Sequence, residues 1–164
     1  MIRPLLPALV LLAALGASAA AADAALITAA GKPAVQLTLP AGWSSVASDA
    51  TVVLLPPGGA PHIQAWCLAA SSVAEAEKTV ATLVVGEVTK FKTVTGSDLT
   101  VAGGPARQLV GTGEEADDGD PANAEVTLFS VGGKVFLLIA HGEGDGTSKR
   151  HAEIAGILAT AKAP

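Results

Sequence analysis

A single cysteine, Cys67, in 164 residues excludes an internal disulfide. A hydrophobic core must therefore hold the fold by itself. Tyrosine is missing, and only three Phe and two Trp occur, too few for a surface that stacks on sugars or bases. Ten Lys+Arg stand against 15 Asp+Glu, a formal charge of −5, and no basic run occurs. Nucleic acid and anionic lipid are thus poor partners for this chain. Beyond the N-terminal region no apolar run is long enough to span a bilayer. The chain also lacks G-x-S-x-G, H-E-x-x-H, a P-loop and C-x-x-C, the short signatures of serine hydrolases, zinc proteases, nucleotide binders and dithiol redox sites.

What is present begins with residues 1–22. Arg3 supplies a short positive region and Leu5 to Leu15 an apolar one. Ala17-Ser18-Ala19 and Ala20-Ala21-Ala22 supply small-residue cleavage sites. Together they predict a secretory signal peptide, and so an exported protein, periplasmic or secreted, with no membrane span after cleavage. No cysteine lies near the cleavage region to carry a lipid. The Ala-rich stretch 23–33 is expected to be a flexible N-terminal segment, followed by a single domain over 34–162.

The stretch Glu125 to His141, EVTLFSVGGKVFLLIAH, organises that domain. Two apolar runs flank Gly132-Gly133, which predicts a tight hairpin. The turn sets Val131 against Lys134, Phe129 against Phe136, Leu128 against Leu137 and Val126 against Ile139. One face then carries Val126, Leu128, Val135, Leu137 and Ile139; the other carries Thr127, Phe129, Phe136 and Leu138. Neither suits water, so the hairpin is expected in the middle of an antiparallel sheet covered on both faces.

Around it, Ala34 to Leu39, Thr51 to Leu55 and His62 to Ala69 read as strands, the last two joined by the breaker Pro56-Pro57-Gly58-Gly59. Ser44 to Ala50 reads as a loop. Ser72 with Glu75 forms a capping box. The apolar stripe Val73, Ala76, Val80, Leu83, Val84, Val88 and Phe91 predicts a helix of about four to five turns. Phe91 to Thr95, Asp98 to Ala102 and Ala106 to Gly111 are β-like, and Gly113 to Asn123 is an acidic loop. Thr147 or Ser148 is expected to cap a final helix with Ile154, Ile157, Leu158 and Ala161 on one face. The fold class is α/β (α+β): an antiparallel sheet with helices on both faces, an α/β/α sandwich.

In this order of elements the chain resembles the PsbP-like superfamily, which includes extrinsic subunits of the photosynthetic oxygen-evolving complex and DcrB-like bacterial periplasmic proteins. The features that carry the resemblance are the strand into Pro40-Ala41-Gly42-Trp43, the strand pair through Trp66 and the helix from Ser72. The turn VAGGPARQL from Val101 to Leu109, the hairpin at Val131-Gly-Gly-Lys134 and the closing helix from Thr147 complete it. The resemblance spans Ala34 to Ala161. Members mostly bind or assist other components and share no catalytic set, so it implies a non-catalytic role and brings no site residues with it.

Candidate chemistry is sparse. Strand alternation points His62 and Cys67 to opposite faces, so Cys67 is expected to be a small buried hydrophobe. Asp117, Asp118 and Asp120, within the acidic cluster that begins at Glu114 and Glu115, are candidate ligands for Ca²⁺, although DDGD departs from the EF-hand order. His141, Glu143, Asp145 and His151 hold the residue types of a zinc set, but His141 belongs to a strand and His151 to a helix. Gly142, Gly144 and Gly146 lack the third offset of G-x-G-x-x-G. Trp43, which follows a turn, and His141, at the hairpin's end, are candidate partner contacts. The expectation is an exported non-catalytic domain that binds or assists a protein partner in the cell envelope, with no cofactor. The alternative is an exported metal-binding protein or hydrolase that uses the 114–120 loop or the His141/His151 region.

Overall fold

A computed structural model describes residues 23–48 and 50–164; the signal-peptide expectation for 1–22 lies outside the described residues. Nine strands are described: β1 (Ala24–Ala29), β2 (Lys32–Thr38), β3 (Ser44–Ala47), β4 (Thr51–Leu55), β5 (His62–Leu68), β6 (Val88–Val101), β7 (Gly104–Glu115), β8 (Pro121–Val131) and β9 (Lys134–Gly142). Three helices join them: α1 (Val73–Lys78), α2 (Val80–Leu83) and α3 (Gly146–Ala159). β1 and β2 pair as a two-stranded sheet, and the other strands form one antiparallel sheet in the order β3-β4-β5-β9-β8-β7-β6. Among the described residues no helix is long and apolar enough to cross a membrane.

The central hairpin is β8–β9, in the register its sequence predicts: Val131 opposite Lys134, Phe129 opposite Phe136, Leu128 opposite Leu137 and Val126 opposite Ile139. Gly132 and Gly133 both take positive φ, 59° and 75°, as a two-residue turn matched to strand twist requires. Both faces are dry. Val126, Leu128, Val135, Leu137 and Ile139 join the core that contains Ala76, Val80 and Val84 from the α1–α2 region. Phe129, Phe136 and Leu138 join the core under α3, with Ile154, Ile157 and Leu158. Phe129 and Phe136 stack with centroids 5.6 Å apart. The architecture is an antiparallel sheet with helices on both faces. On the α3 side, however, the helix shares the cover with the β1–β2 hairpin, whose Ala25, Ile27, Val35 and Leu37 lie in the same core.

Several expectations are corrected. Residues 24–29, expected to be flexible, form β1, because alternate residues Ala25, Ile27 and Ala29 are buried and the strand pairs along β2. Ser44–Ala47 is not loop but the edge strand β3. The long helix from Ser72 is cut short. Half of its capping box forms, with Ser72 Oγ accepting from the Glu75 N–H at 3.1 Å, while the Glu75 carboxylate reaches past Ser72 to accept from the Ser71 N–H at 2.7 Å. Thr79, at φ −118°, then interrupts the helix, and α2 ends at Leu83. Beyond it the β-branched residues Val84 and Val85 and then Gly86 are poor helix formers, and Val88 starts β6. Val88 and Phe91 are buried as the stripe requires, but from a strand. β6 runs unbroken through Gly96-Ser97, and β7 extends to Glu115, which shortens the acidic loop to 116–120. The residue that begins α3 is Asp145, with no side-chain cap bond, instead of Thr147 or Ser148.

Candidate functional site

One end of the sheet opens into a cleft of about 380 Å³. It is lined by His62 at the start of β5, Glu87 ahead of β6, Glu115 to Asp118 at the end of β7, and His141 to Glu143 at the end of β9. Register brings the pieces together. His62 pairs with His141, and His141 with Ala124 on β8. Ala124 and Ala122 are buried on the same face as His141. Glu115 ends β7, two strands from His141 and four residues beyond Gly111, which shares a row with Ala124 and His141.

His141 is the floor of the cleft, its side chain 5% exposed. Its Nδ1 lies 2.8 Å from Glu115 Oε2. A carboxylate only accepts, so this nitrogen is the donor. On the far side of the ring, Nε2 faces Glu87 Oε2 at 3.4 Å without hydrogen-bond geometry, and it is buried with no partner. Glu87 Oε2 is oriented by the Gln64 side-chain amide, which donates to it at 2.6 Å. The exposed His62 ring stacks on His141 at 5.6 Å between centroids. Around the rim stand Asp117, Asp118 and Glu143. Among the described residues no lysine or arginine pairs with any of these carboxylates; the lysine and arginine ion pairs that form lie elsewhere.

A second histidine–carboxylate pair lies on the opposite face. Glu125, buried on β8, accepts from the Gln108 amide at 2.8 Å and meets His151 Nδ1 of α3 at 2.8 Å. His141 and His151 therefore do not converge, as alternate residues of one sheet cannot when one points to each face. Among the described residues no group of three or more His, Cys, Asp or Glu is arranged to hold a metal ion. Asp117 and Asp118 line the cleft, whereas Asp120 shares a turn in which its N–H donates to Asp118 Oδ1 at 3.0 Å.

Trp43 is not exposed. Although it follows a turn, its ring is buried in the α3-side core, its indole N–H donates to Glu153 Oε2 at 3.1 Å, and the Arg150 guanidinium lies 5.7 Å from its centroid. Cys67 packs against that same core, away from His62, and burial pushes its thiol pKa up while Lys134 opposes the shift. It is a poor nucleophile. Glu87, Gln108 and Glu125 were not singled out by the sequence pattern, and Glu115 only as part of an acidic run.

No protein-family model matches the chain, and no curated protein matches its sequence. Solved structures match its fold. The solution structure of cyanobacterial PsbP (CyanoP) from Synechocystis sp. PCC 6803 aligns over 93% of this chain and 99% of its own, at a TM-score of 0.58 and 12% identity. LpqN, involved in cell envelope biogenesis of Mycobacterium tuberculosis, aligns over 86% of this chain and 89% of its own, at 0.56 and 17%. A protein from Bacteroides thetaiotaomicron VPI-5482 aligns over 79% of this chain and 45% of its own, at 0.53 and 11%. The fold is PsbP-like.

Proposed function

We propose that this PsbP-like chain is an exported, non-catalytic domain that binds or assists a protein partner in the cell envelope, with the His141 cleft as its contact site. The observation that carries the reading is the cleft itself: an acidic recess at one end of the sheet whose carboxylates pair with no lysine or arginine among the described residues. Export rests on the signal-like residues 1–22, and the envelope setting draws support from the description of LpqN. A hydrolase is the competing reading, because His141 and Glu115 have the spacing of a base and its orienting carboxylate. The cleft lining, however, contains no serine, threonine, cysteine or lysine to serve as nucleophile, which favours binding.

The test is affinity purification of the tagged protein at native expression from its own envelope fraction, beside Glu87→Gln/Glu115→Gln. A partner retained by the wild type and lost with the double variant is expected. Recovery of no reproducible partner, or equal recovery with both, overturns the reading.

A further inference from the structure

We propose that the His141 cleft takes the guanidinium of an arginine side chain displayed by the partner protein. The inference rests on the binding reading above and adds its chemistry. Glu87, Glu115, Asp117, Asp118 and Glu143 contribute carboxylates to one recess, and no lysine or arginine pairs with them among the described residues. An acidic cluster alone would be only a solvated rim. The second observation is His141, a side chain 95% buried whose Nε2 is unpartnered. In the neutral ring, with its proton on Nδ1 and donated to Glu115, Nε2 presents a lone pair to a carboxylate oxygen 3.4 Å away. Two acceptors 3.4 Å apart leave no room for a heavy atom between them, so the donor they call for must bond from beside them, since a buried acceptor without one is costly.

Guanidinium answers this arrangement better than ammonium. Its planar fork supplies several N–H donors at fixed angles, suited to two carboxylates at once, and its flat face stacks on aromatic rings. Glu87 and Glu115 flank His141 from opposite sides, and each keeps its Oε1 without a protein donor among the described residues. The outer face of the His62 ring, stacked on His141 and exposed, is the stacking platform. Asp117 and Asp118 steer the cation inward at longer range.

The unmodified protein, made from the full-length chain, is titrated with an acetylated, amidated Gly-Arg-Gly peptide. Matched peptides carry citrulline, which keeps the shape but not the charge, or lysine. Side-chain ¹⁵N and ¹³C NMR follows His62 and His141. Millimolar binding of the arginine peptide is expected, with His141 and the amides of 86–87, 115–118 and 142–143 shifting. The lysine peptide binds weaker by about tenfold or more and citrulline not at all. Glu115→Gln and Glu87→Gln each weaken the arginine peptide by about tenfold, while Glu125→Gln, on the far face, does not.

Equal shifts from citrulline, no shift from arginine, or an Nε2 proton present before titration and unchanged by it would each overturn the proposal. So would displacement of the peptide by Ca²⁺ or Zn²⁺ at equal concentration, which would make the cleft a metal site. If arginine fails while the envelope partner is still lost with Glu87→Gln/Glu115→Gln, the binding reading stands and only its chemistry falls. If arginine binds and no partner is recovered, the reverse holds.

Discussion

His141–Glu115 and His151–Glu125 look alike on paper: each is a histidine Nδ1 at 2.8 Å from a glutamate oxygen, and they sit on opposite faces of one sheet. Their burial is reversed. In the cleft pair the histidine is sealed and the glutamate nearer to water; in the α3 pair Glu125 is 4% exposed and His151 50% exposed. The buried member decides what each pair does. Glu125 has both oxygens satisfied, by Gln108 and His151, so its bonding is complete and it works as a brace between β8 and α3, although a cleft of about 500 Å³ opens beside it. His141 has one nitrogen satisfied and one facing another acceptor, so its face is unfinished. A buried polar network that is complete holds structure; one left short by a single donor is set up for something to arrive.

The strongest way to break this comparison is to remove both histidines in turn. His141→Ala removes the buried imidazole between Glu87 and Glu115 and leaves two like charges facing each other across the cleft floor, and a loss of about 3 kcal/mol in urea denaturation is expected. His151→Ala removes a half-exposed partner and should cost within about 1 kcal/mol. Equal losses would mean that the two pairs are energetically the same. The next largest effect is expected at Glu125→Ala, which strands the Gln108 amide in a dry setting and should cost about 2 kcal/mol. A neutral result there would show that Glu125 is no brace. Ala124→Val then probes the cleft from below. Extra methyls at the buried Ala124, the β8 residue opposite His141, should cost about 1 to 2 kcal/mol by overpacking and displace the imidazole, read as a change in the His141 ring ¹⁵N shifts. An unchanged ring spectrum would mean that Ala124 does not bear on the ring.

Much of the fold was legible because its central signal is local. Gly132-Gly133 between two apolar runs fixes a turn, the turn fixes register, and register fixes faces; even the face of His141 follows from counting by twos from Leu137 and Ile139. The helix from Ser72 misled because its stripe at three, four and seven is also met by residues that leave the helix. Val88 and Phe91 reach the same core from β6. That error hid Glu87, which belongs to no long helix but to the turn that delivers β6 to the sheet edge. Glu115 was obscured in another way. Among the acids of 114–120 nothing local marks it as the one whose side chain continues the β7 alternation inward, since that needs the register of β7 on β8. Sites assembled across three strands are illegible until the strand order is known.

The smallest effect belongs to the α3 side and tests whether that side is finished with bonds open to solvent. Asp145 opens α3, caps it with no side-chain bond, and instead meets Lys149 Nζ at 2.8 Å, with both side chains exposed. The hydrogen bond from Lys149, aided by its charge and opposed by slight desolvation, holds the Asp145 carboxyl below its usual range. A carboxyl depressed in the folded state stabilises fully above its unfolded value and stops contributing as pH falls through the lowered one. The stability gap between wild type and Asp145→Asn should therefore be small at neutral pH, vanish in acid, and shrink with added salt as exposed pairs do. Urea denaturation across a pH series measures it. A gap that widens in acid, or resists salt, would mean that Asp145 holds α3 by a buried interaction. The contrast between a complete network and an unfinished one would then lose its simplest support.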